Sequence, residues 1–428
     1  MARKMKDSGI EWIGEIPEGW EITKIKHIVS SVTDIDHFMP DSAEFGIPYL
    51  MIGDLKDLSS SIDWDSSKKI SIEDYKKLSI KSRPQIGDII FARYASIGTT
   101  CYIDTDRDFL VSYACLTIHP SDLIIGKFLS YYLKSSSFAE DVLRRTNSNT
   151  QGNVGKDSLV NATIVLPSII EQTQIVNFLD AKCSDINAML SKTRASIEEY
   201  KKLKQAIITQ AVTKGVRGER KMKDSGVEWV GEIPKEWDIL NLVAHTSMLT
   251  PMRDRPENLD GPIPWIRIED FDGKYISSSK ASLGVSKETV RSMNLKIYPV
   301  GTILCTSSCI MGKCAIVSRE LVSNQRFIGI IPDQNTCENF LYYLMLSNSE
   351  RMNYLATGAL QANLSRSSFE HLKVQFPSYQ EQKEIADYLD AKCAEIDRLI
   401  AKKEQLVKEL ESYKKSLIYE VVTGKREV

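Results

Sequence analysis

The sequence predicts an α+β fold in which two globular α/β segments alternate with two long α-helices, and the helices pair within the chain as an antiparallel coiled coil about a pseudo-twofold axis. Three observations predict it. The stretch MKDSGIEWIGEIPEGWEI at residues 5–22 returns as MKDSGVEWVGEIPKEWDI at 222–239, with thirteen of eighteen positions identical. LPSIIEQTQIVNFLDAKCSDI from Leu166 returns as FPSYQEQKEIADYLDAKCAEI from Phe376. Each of these second segments opens a long run of apolar residues spaced alternately by three and four, the signature of a helix that packs along a seam. The first pair is offset by 217 residues and the second by 210, so the chain is a duplication with constant framing and contents that differ in length by seven residues.

Residues 1–22 and 216–239 hold the first repeated stretch. It is rich in Trp, Ile and Pro, and reads as a fixed joint between a globular segment and the end of a rod. A joint must match its rod, which is why the two are repeated together. The globular segments follow at 23–165 and 240–375 and share an outline at weak identity. IPYLMIGDL (47–55) parallels IPWIRIEDF (263–271), and GDIIFARYASIGTTCYI (87–103) parallels GTILCTSSCIMGKCAIV (301–317). The latter are strand, polar turn, strand; VSYACLTIHP and VSNQRFIGIIP add further strands, and FLSYYLKSSSFAEDVL and FLYYLMLSNSERMNYL read as short amphipathic helices.

The helical regions cover 166–215 and 376–428. Ser168 with Glu171, and Ser378 with Glu381, form capping boxes directly after a proline, and Gly215 and Gly424 are the expected terminators. The first seam is expected through Ile175, Leu179, Ile186, Met189, Tyr200, Leu203 and Ile207. The second is expected through Ile385, Leu389, Ile396, Leu399, Leu406, Leu410, Tyr413 and Leu417, with Lys182, Thr193, Lys392 and Lys403 as polar interruptions. Helices of about 43 residues would be roughly 60 to 65 Å long. Antiparallel pairing of two such rods would carry the variable segments to opposite ends of a spacer.

Where the frameworks agree, the polar turns differ. Arg93, Tyr94 and Ser96 stand opposite Ser307, Ser308 and Lys313, while Arg144, Arg145, Asn147, Asn149, Gln151 and Lys156 stand opposite Gln361, Asn363 and Arg366. Arg267 and Arg326 complete the candidate set. Arg, Lys, Asn and Gln read base edges, and Ser, Thr and backbone N–H groups hold phosphates, so these are candidate DNA contacts; polar turns are also what solvated loops look like.

A net charge of -2 excludes a chain held to nucleic acid by gross basicity, though it leaves room for a local basic cleft. Cys305, Cys309 and Cys314 lack zinc-ligand spacing and read as small buried strand residues, and Cys183 and Cys393 read as packing residues of the helices. No apolar run is long enough to span a membrane and the N-terminus lacks a signal-peptide core, so the chain is expected in the cytoplasm. The sequence offers no D/N-P-P-Y/F turn for an extruded adenine, no phosphate-cradling G-x-x-x-x-G-K-S/T loop and no H-E-x-x-H pair, so an enzyme is a weak reading.

The joint, the LPS…EQxxI…FLDAK helix start, the long seams and the alternation of variable and helical regions together resemble the specificity subunit of a type I restriction-modification system, over essentially the full length. The resemblance implies a non-catalytic chain whose two target-recognition domains each read one half of a split double-stranded DNA sequence, with a spacer set by the rods. It also implies docking of two methyltransferase subunits and two ATPase-nuclease restriction subunits. S-adenosylmethionine, ATP and Mg would belong to those partners, with no catalytic residue, cofactor or metal in this chain. The variable domains of that family have no fixed base-reading motif, so the resemblance assigns no DNA contact. A coiled-coil adaptor with two protein-binding heads is the alternative that composition alone leaves open.

Overall fold

The computed structural model describes residues 3–94, 97–145, 154–251, 255–308, 312–356 and 364–428. The chain divides into two compact units, one of residues 1–194 with 405–428 and the other of residues 195–404.

In the first unit a four-stranded antiparallel sheet runs in the order Val29–Thr33, Cys115–Pro120, Ile89–Ala92, Thr100–Tyr102. A smaller sheet pairs Ile47–Leu50 with Lys69–Ile70 on one side and, in parallel, with Leu110–Val111 on the other. Ile89, Ile90, Phe91 and Ala92 are all buried, because apolar clusters cover both faces of that strand and remove the usual alternation. Helices α1 (Ile72–Leu78), α2 (Gly126–Leu133), α3 (Ser136–Arg145) and α4 (Lys156–Asn161) come next, and then α5 (Ile169–Lys214), whose first part belongs to this unit. One cluster joins Phe91, Phe128 and Phe138 to Leu179 and Cys183 of α5 and to Leu417, Ile418 and Val421 near the chain's end.

The second unit repeats the plan with additions. Its main sheet has five strands, in the order Thr246–Leu249, Phe327–Pro332, Ile303–Thr306, Cys314–Val317, Tyr275–Ile276. Helices α6 (Lys287–Ser292), α7 (Glu338–Ser347), α8 (Ser349–Leu355) and α9 (Arg366–Glu370) precede α10 (Tyr379–Val422). Here Ile208, Ala211 and Val212 share a core with Ile385, Ala386 and Leu389. In each unit, then, the start of one long helix packs against the end of the other, which makes the pairing antiparallel.

The seam holds the expected Ile175, Leu179, Ile186, Ile385, Leu389, Ile396 and Leu417 and departs from the expected register between and beyond them. Along α5, after Gln172, the buried positions are Ile175, Val176, Leu179, Cys183, Ile186, Leu190, Thr193, Ile197, Ile208, Ala211 and Val212. Met189 and Leu203 are exposed, and Tyr200 and Ile207 only half-buried. Along α10 Ile385, Leu389, Cys393, Ile396 and Leu417 are buried and Ile400, Lys403, Val407 and Leu410 half-buried, while Leu399, Leu406 and Tyr413 face outward. The cause is local. Met189-Leu190, Ile207-Ile208, Leu399-Ile400 and Leu406-Val407 are adjacent apolar pairs, and neighbours on a helix differ by about 100° in direction, so only one of each pair can enter the seam. Thr193 is a seam member and not an interruption, because its hydroxyl donates to Met189 O (2.8 Å) and enters the core satisfied. Lys403, likewise read as an interruption, reaches over the Tyr200 ring at 5.6 Å.

The constant motifs clamp each unit in the same way. Gln172, fully buried, accepts from Ile125 N (2.8 Å) and donates to Leu123 O and Pro167 O; Gln382 accepts from Cys337 N (2.8 Å) and donates to Asn335 O and Pro377 O. Trp20 Nε1 donates to Glu171 at 3.0 Å and Trp237 Nε1 to Glu381 at 3.1 Å, so each joint is bonded to the start of its own rod. Asp180 accepts from Tyr131 (2.7 Å) and Lys127, and Asp390 from Tyr343 (2.6 Å) and Lys274. The tyrosines are equivalent but the lysines are not, so the aspartate is the fixed member of the pair. Gly424, at φ 74°, lies against Pro17 and Trp20, where a Cβ would collide with the proline ring.

Candidate nucleic-acid interface

Three separated segments meet at one place in each unit. In the first, Arg93 N donates to Ala114 O (2.9 Å) and Val154 N donates to Arg93 O (3.0 Å). The hairpin turn, the strand return near 114 and the residue just past the polar stretch 146–153 are thereby stitched together. In the second unit Ser307 N donates to Arg326 O (2.8 Å) and Leu364 N to Ser307 O (2.9 Å), the same two bonds at equivalent positions. The stitch is made by backbone groups, so it tolerates any side chain.

The side chains it presents differ. Arg93 is largely withdrawn: its guanidinium bonds Asp34 at 3.3 Å and lies 5.7 Å from the Tyr94 ring, while Tyr94 itself is 45% exposed and available. In the second unit the turn carries half-buried Ser307 and buried Ser308, and the arginine is on the returning strand as exposed Arg326. Each stitched spot thus has one arginine, supplied from opposite sides of the same hydrogen bond. Lys313 is exposed on the second turn, its N–H and C=O engaged with Thr306. Lys156 and Arg366 are exposed first residues of α4 and α9, near Val154 and Leu364; Arg366 is paired with Glu370 at 2.7 Å.

Other candidates serve the fold. Arg145 bonds buried Asp141 at 2.9 Å, and Asp141 also accepts from Thr163 N at 2.5 Å. Arg144 pairs with Glu140 and Glu11 and lies over Trp12. Arg267 pairs with Glu269 at 3.1 Å, away from the stitched turn in sequence. Ser96, Asn147, Asn149, Gln151, Gln361 and Asn363 lie outside the described residues.

Sequence reasoning missed the loop after Thr33. Asp34 fixes Arg93, and the His37 ring lies 4.5 Å from Tyr113, beside the stitched return. The loop has no counterpart motif in the second repeat, so nothing in the sequence marked it. Among the described residues no group of His, Cys, Asp and Glu is placed to hold a metal, and no helix is long and apolar enough to cross a membrane. Cys305 and Cys314 face each other across adjacent buried strands with sulfurs 2.6 Å apart, and burial pushes the Cys305 thiol well up, which disfavours its thiolate. Cys309 is outside the described residues.

A family model described as the type I restriction modification DNA specificity domain matches residues 17–199 and again 238–410. The putative type I restriction enzyme MjaX specificity subunit of Methanocaldococcus jannaschii is 27% identical over 426 residues, covering 96% of this chain and 95% of that one. Among solved structures, one from work on complex assembly and conformational transition of the type I R-M system superposes with a TM-score of 0.73 at 14% identity, covering 96% of this chain and 99% of the other. The HsdS subunit from Thermoanaerobacter tengcongensis superposes with a TM-score of 0.52, also at 14% identity, over 96% of this chain and 98% of its own. At that identity the likeness is one of fold.

Proposed function

The chain belongs to the family of type I restriction-modification specificity subunits, which are non-catalytic, and from that premise we propose that it reads a bipartite double-stranded DNA target, one half through each recognition domain. The observation that carries this reading is the duplicated backbone stitch: a constant scaffold offering Arg93 and Tyr94 in one unit and Ser307 and Arg326 in the other. Two readers built on one scaffold with different side chains suit two different half-sites. Arg and Lys read base edges and Tyr and Ser contact the phosphates, and Tyr94, Lys156, Lys313, Arg326 and Arg366 are the exposed members of the set. Two readers joined by rigid helices must meet DNA at a fixed helical phase, so the long helices would set the spacer.

The proposed assembly contains two methyltransferase subunits and, in its restricting form, two ATPase-nuclease subunits. S-adenosylmethionine, ATP and Mg act in those partners.

Methylated adenines in the host genome, mapped with this gene present and deleted, test the reading. The expected result is a split motif that disappears on deletion. Exchange of residues 23–165 for another member's domain should then change one half of that motif and leave the other. A genome whose methylation is unchanged by deletion would leave the adaptor with two protein-binding heads as the better account.

A further inference from the structure

The loop after Thr33 carries an exposed apolar tip on a fixed base. It links the strand Val29–Thr33 to Ile47–Leu50; Ile35 and Pro40 are buried, while Asp36, His37, Phe38 and Met39 between them are exposed. Ile35 packs with Tyr49, Leu78 and Leu110, and Lys68 Nζ donates to Pro40 O at 2.5 Å, so both ends of the tip are anchored. The tip itself is held as well. Phe38 N donates to Asp36 O (2.6 Å), Asp36 pairs with Lys81 (2.5 Å), and Lys77 Nζ lies 5.7 Å from the Phe38 ring centre. Phe38 is nevertheless 44% exposed and Met39 41%. Adjacent apolar side chains held out of the core and rimmed by polar groups mark a contact surface.

The place of the tip says what it contacts. Asp34 bonds Arg93 at 3.3 Å, and the His37 ring lies 4.5 Å from that of Tyr113, the neighbour of Ala114, whose carbonyl accepts from Arg93 N. The loop thus touches both sides of the first stitched spot, the turn and the return, beside exposed Tyr94. Lys76, Lys77 and Lys81 are exposed cations next to the tip, and its own acids, Asp34 and Asp36, are neutralised by Arg93 and Lys81; the unpaired acids of the loop, Asp41 and Glu44, lie beyond Pro40. That balance suits a polyanion at the tip.

The polar side chains of the stitched turn serve base-edge hydrogen bonds and phosphates, but none of them matches the one apolar group of the major groove, the C5 methyl of thymine. A ring wedged between base pairs would need both faces free for stacking. Lys77 covers one face of Phe38, which leaves the other face and the edge for a contact from one side. The corresponding segment of the second repeat, TPMRDRPENLDGP at 250–262, contains no aromatic residue, so the contact belongs to the first reader alone.

We propose that Phe38, with Met39 beside it, is a specificity-determining residue of the first reader, and that its ring packs against the C5 methyl of one thymine in the half-site this reader recognises. The proposal rests on the bipartite-reader reading above and adds to it a base preference that hydrogen bonding does not supply.

The test uses the full chain produced together with its methyltransferase subunits. Methylation rates are measured on duplexes carrying the mapped motif, with each thymine of either half-site replaced singly by deoxyuridine, which removes only the methyl. In wild type one such replacement, in the half-site that changes when residues 23–165 are exchanged, should slow methylation about threefold to fivefold, the scale of one buried methyl. Phe38→Ala should slow the thymine duplex by a similar factor and no longer distinguish thymine from uracil at that position, so the two changes are non-additive. Phe38→Leu, which keeps a smaller apolar surface, should retain part of the preference. Ratios in the other half-site should stay as in wild type for both variants.

If no thymine of the first half-site responds to loss of its methyl in the wild-type complex, the proposal is overturned without recourse to any variant. It is equally overturned if Phe38→Ala slows thymine and uracil duplexes alike with every ratio intact, or alters both half-sites. A wild-type complex with no bipartite preference would instead overturn the reading on which the proposal rests.

Discussion

At the scale of single residues, the buried glutamines are the most exacting feature. Gln172, itself fully buried, satisfies the Ile125 N–H and the carbonyls of Leu123 and Pro167, the last in a buried bond, so its amide is needed in a way that its size is not. Gln172→Leu should destabilise the first unit by about 1 to 3 kcal/mol, the cost of leaving a buried carbonyl and two part-buried groups without their partner, and equilibrium denaturation would read it as a lower midpoint. Glu171 gives a pH dependence. Burial pushes its carboxyl up, but hydrogen bonds from Trp20 and Ser168 and the charge of Arg3 outweigh that and hold it below the ordinary glutamate value. A depressed folded pKa stabilises fully above the unfolded value of 4.5 and loses its contribution as pH falls through the folded value. Thermal melting of wild type and Glu171→Gln should therefore differ most above about pH 5 and converge as the pH falls through the depressed folded value. Both residues were visible in the sequence as identical letters in the EQ of the helix start. Apart from Ser168 their partners were not, since Ile125, Leu123 and Trp20 are distant in the chain and no local rule pairs them.

At the scale of elements, the long helices show how far periodicity carries. Their existence, the Ser168–Glu171 box and their glycine ends were legible as local chemistry, whereas at the second start Ser378 accepts from Glu381 N and the Glu381 carboxylate goes to Trp237 and Arg220. Their seam was legible only in part, because adjacent apolar residues such as Met189 and Leu190 fit either of two registers and only the partner helix selects one. Leu190→Ala should cost about 2 to 5 kcal/mol by opening a cavity, whereas Met189→Ala, one position along and exposed, should stay within about 0.5 kcal/mol. Equal losses in denaturation midpoints would place the seam back at Met189. The recognition strands were legible in outline for the same reason as the helices, while the pairing of Tyr49 with Leu110 in parallel, sixty-one positions apart, depends on the fold around it.

At the scale of the whole molecule, the proposed function makes the long helices a ruler. Removing seven residues from each, in matched positions of the seam, should shorten the spacer of the methylated motif and keep both half-sites, as read from the genome; an unchanged spacer would refute the ruler. The sequence by itself determined the duplication, the order of joints, readers and helices, and the family, since these depend on repeated letters and on patterns within a few turns. Tertiary structure alone decided which arginines are held and which are free: Arg93 by Asp34, Arg144 by the Trp12 ring, Arg145 by Asp141, against exposed Arg326. The physical reason is that a guanidinium's role is set by the nearest carboxylate or ring, and those neighbours arrive from segments that only folding brings together.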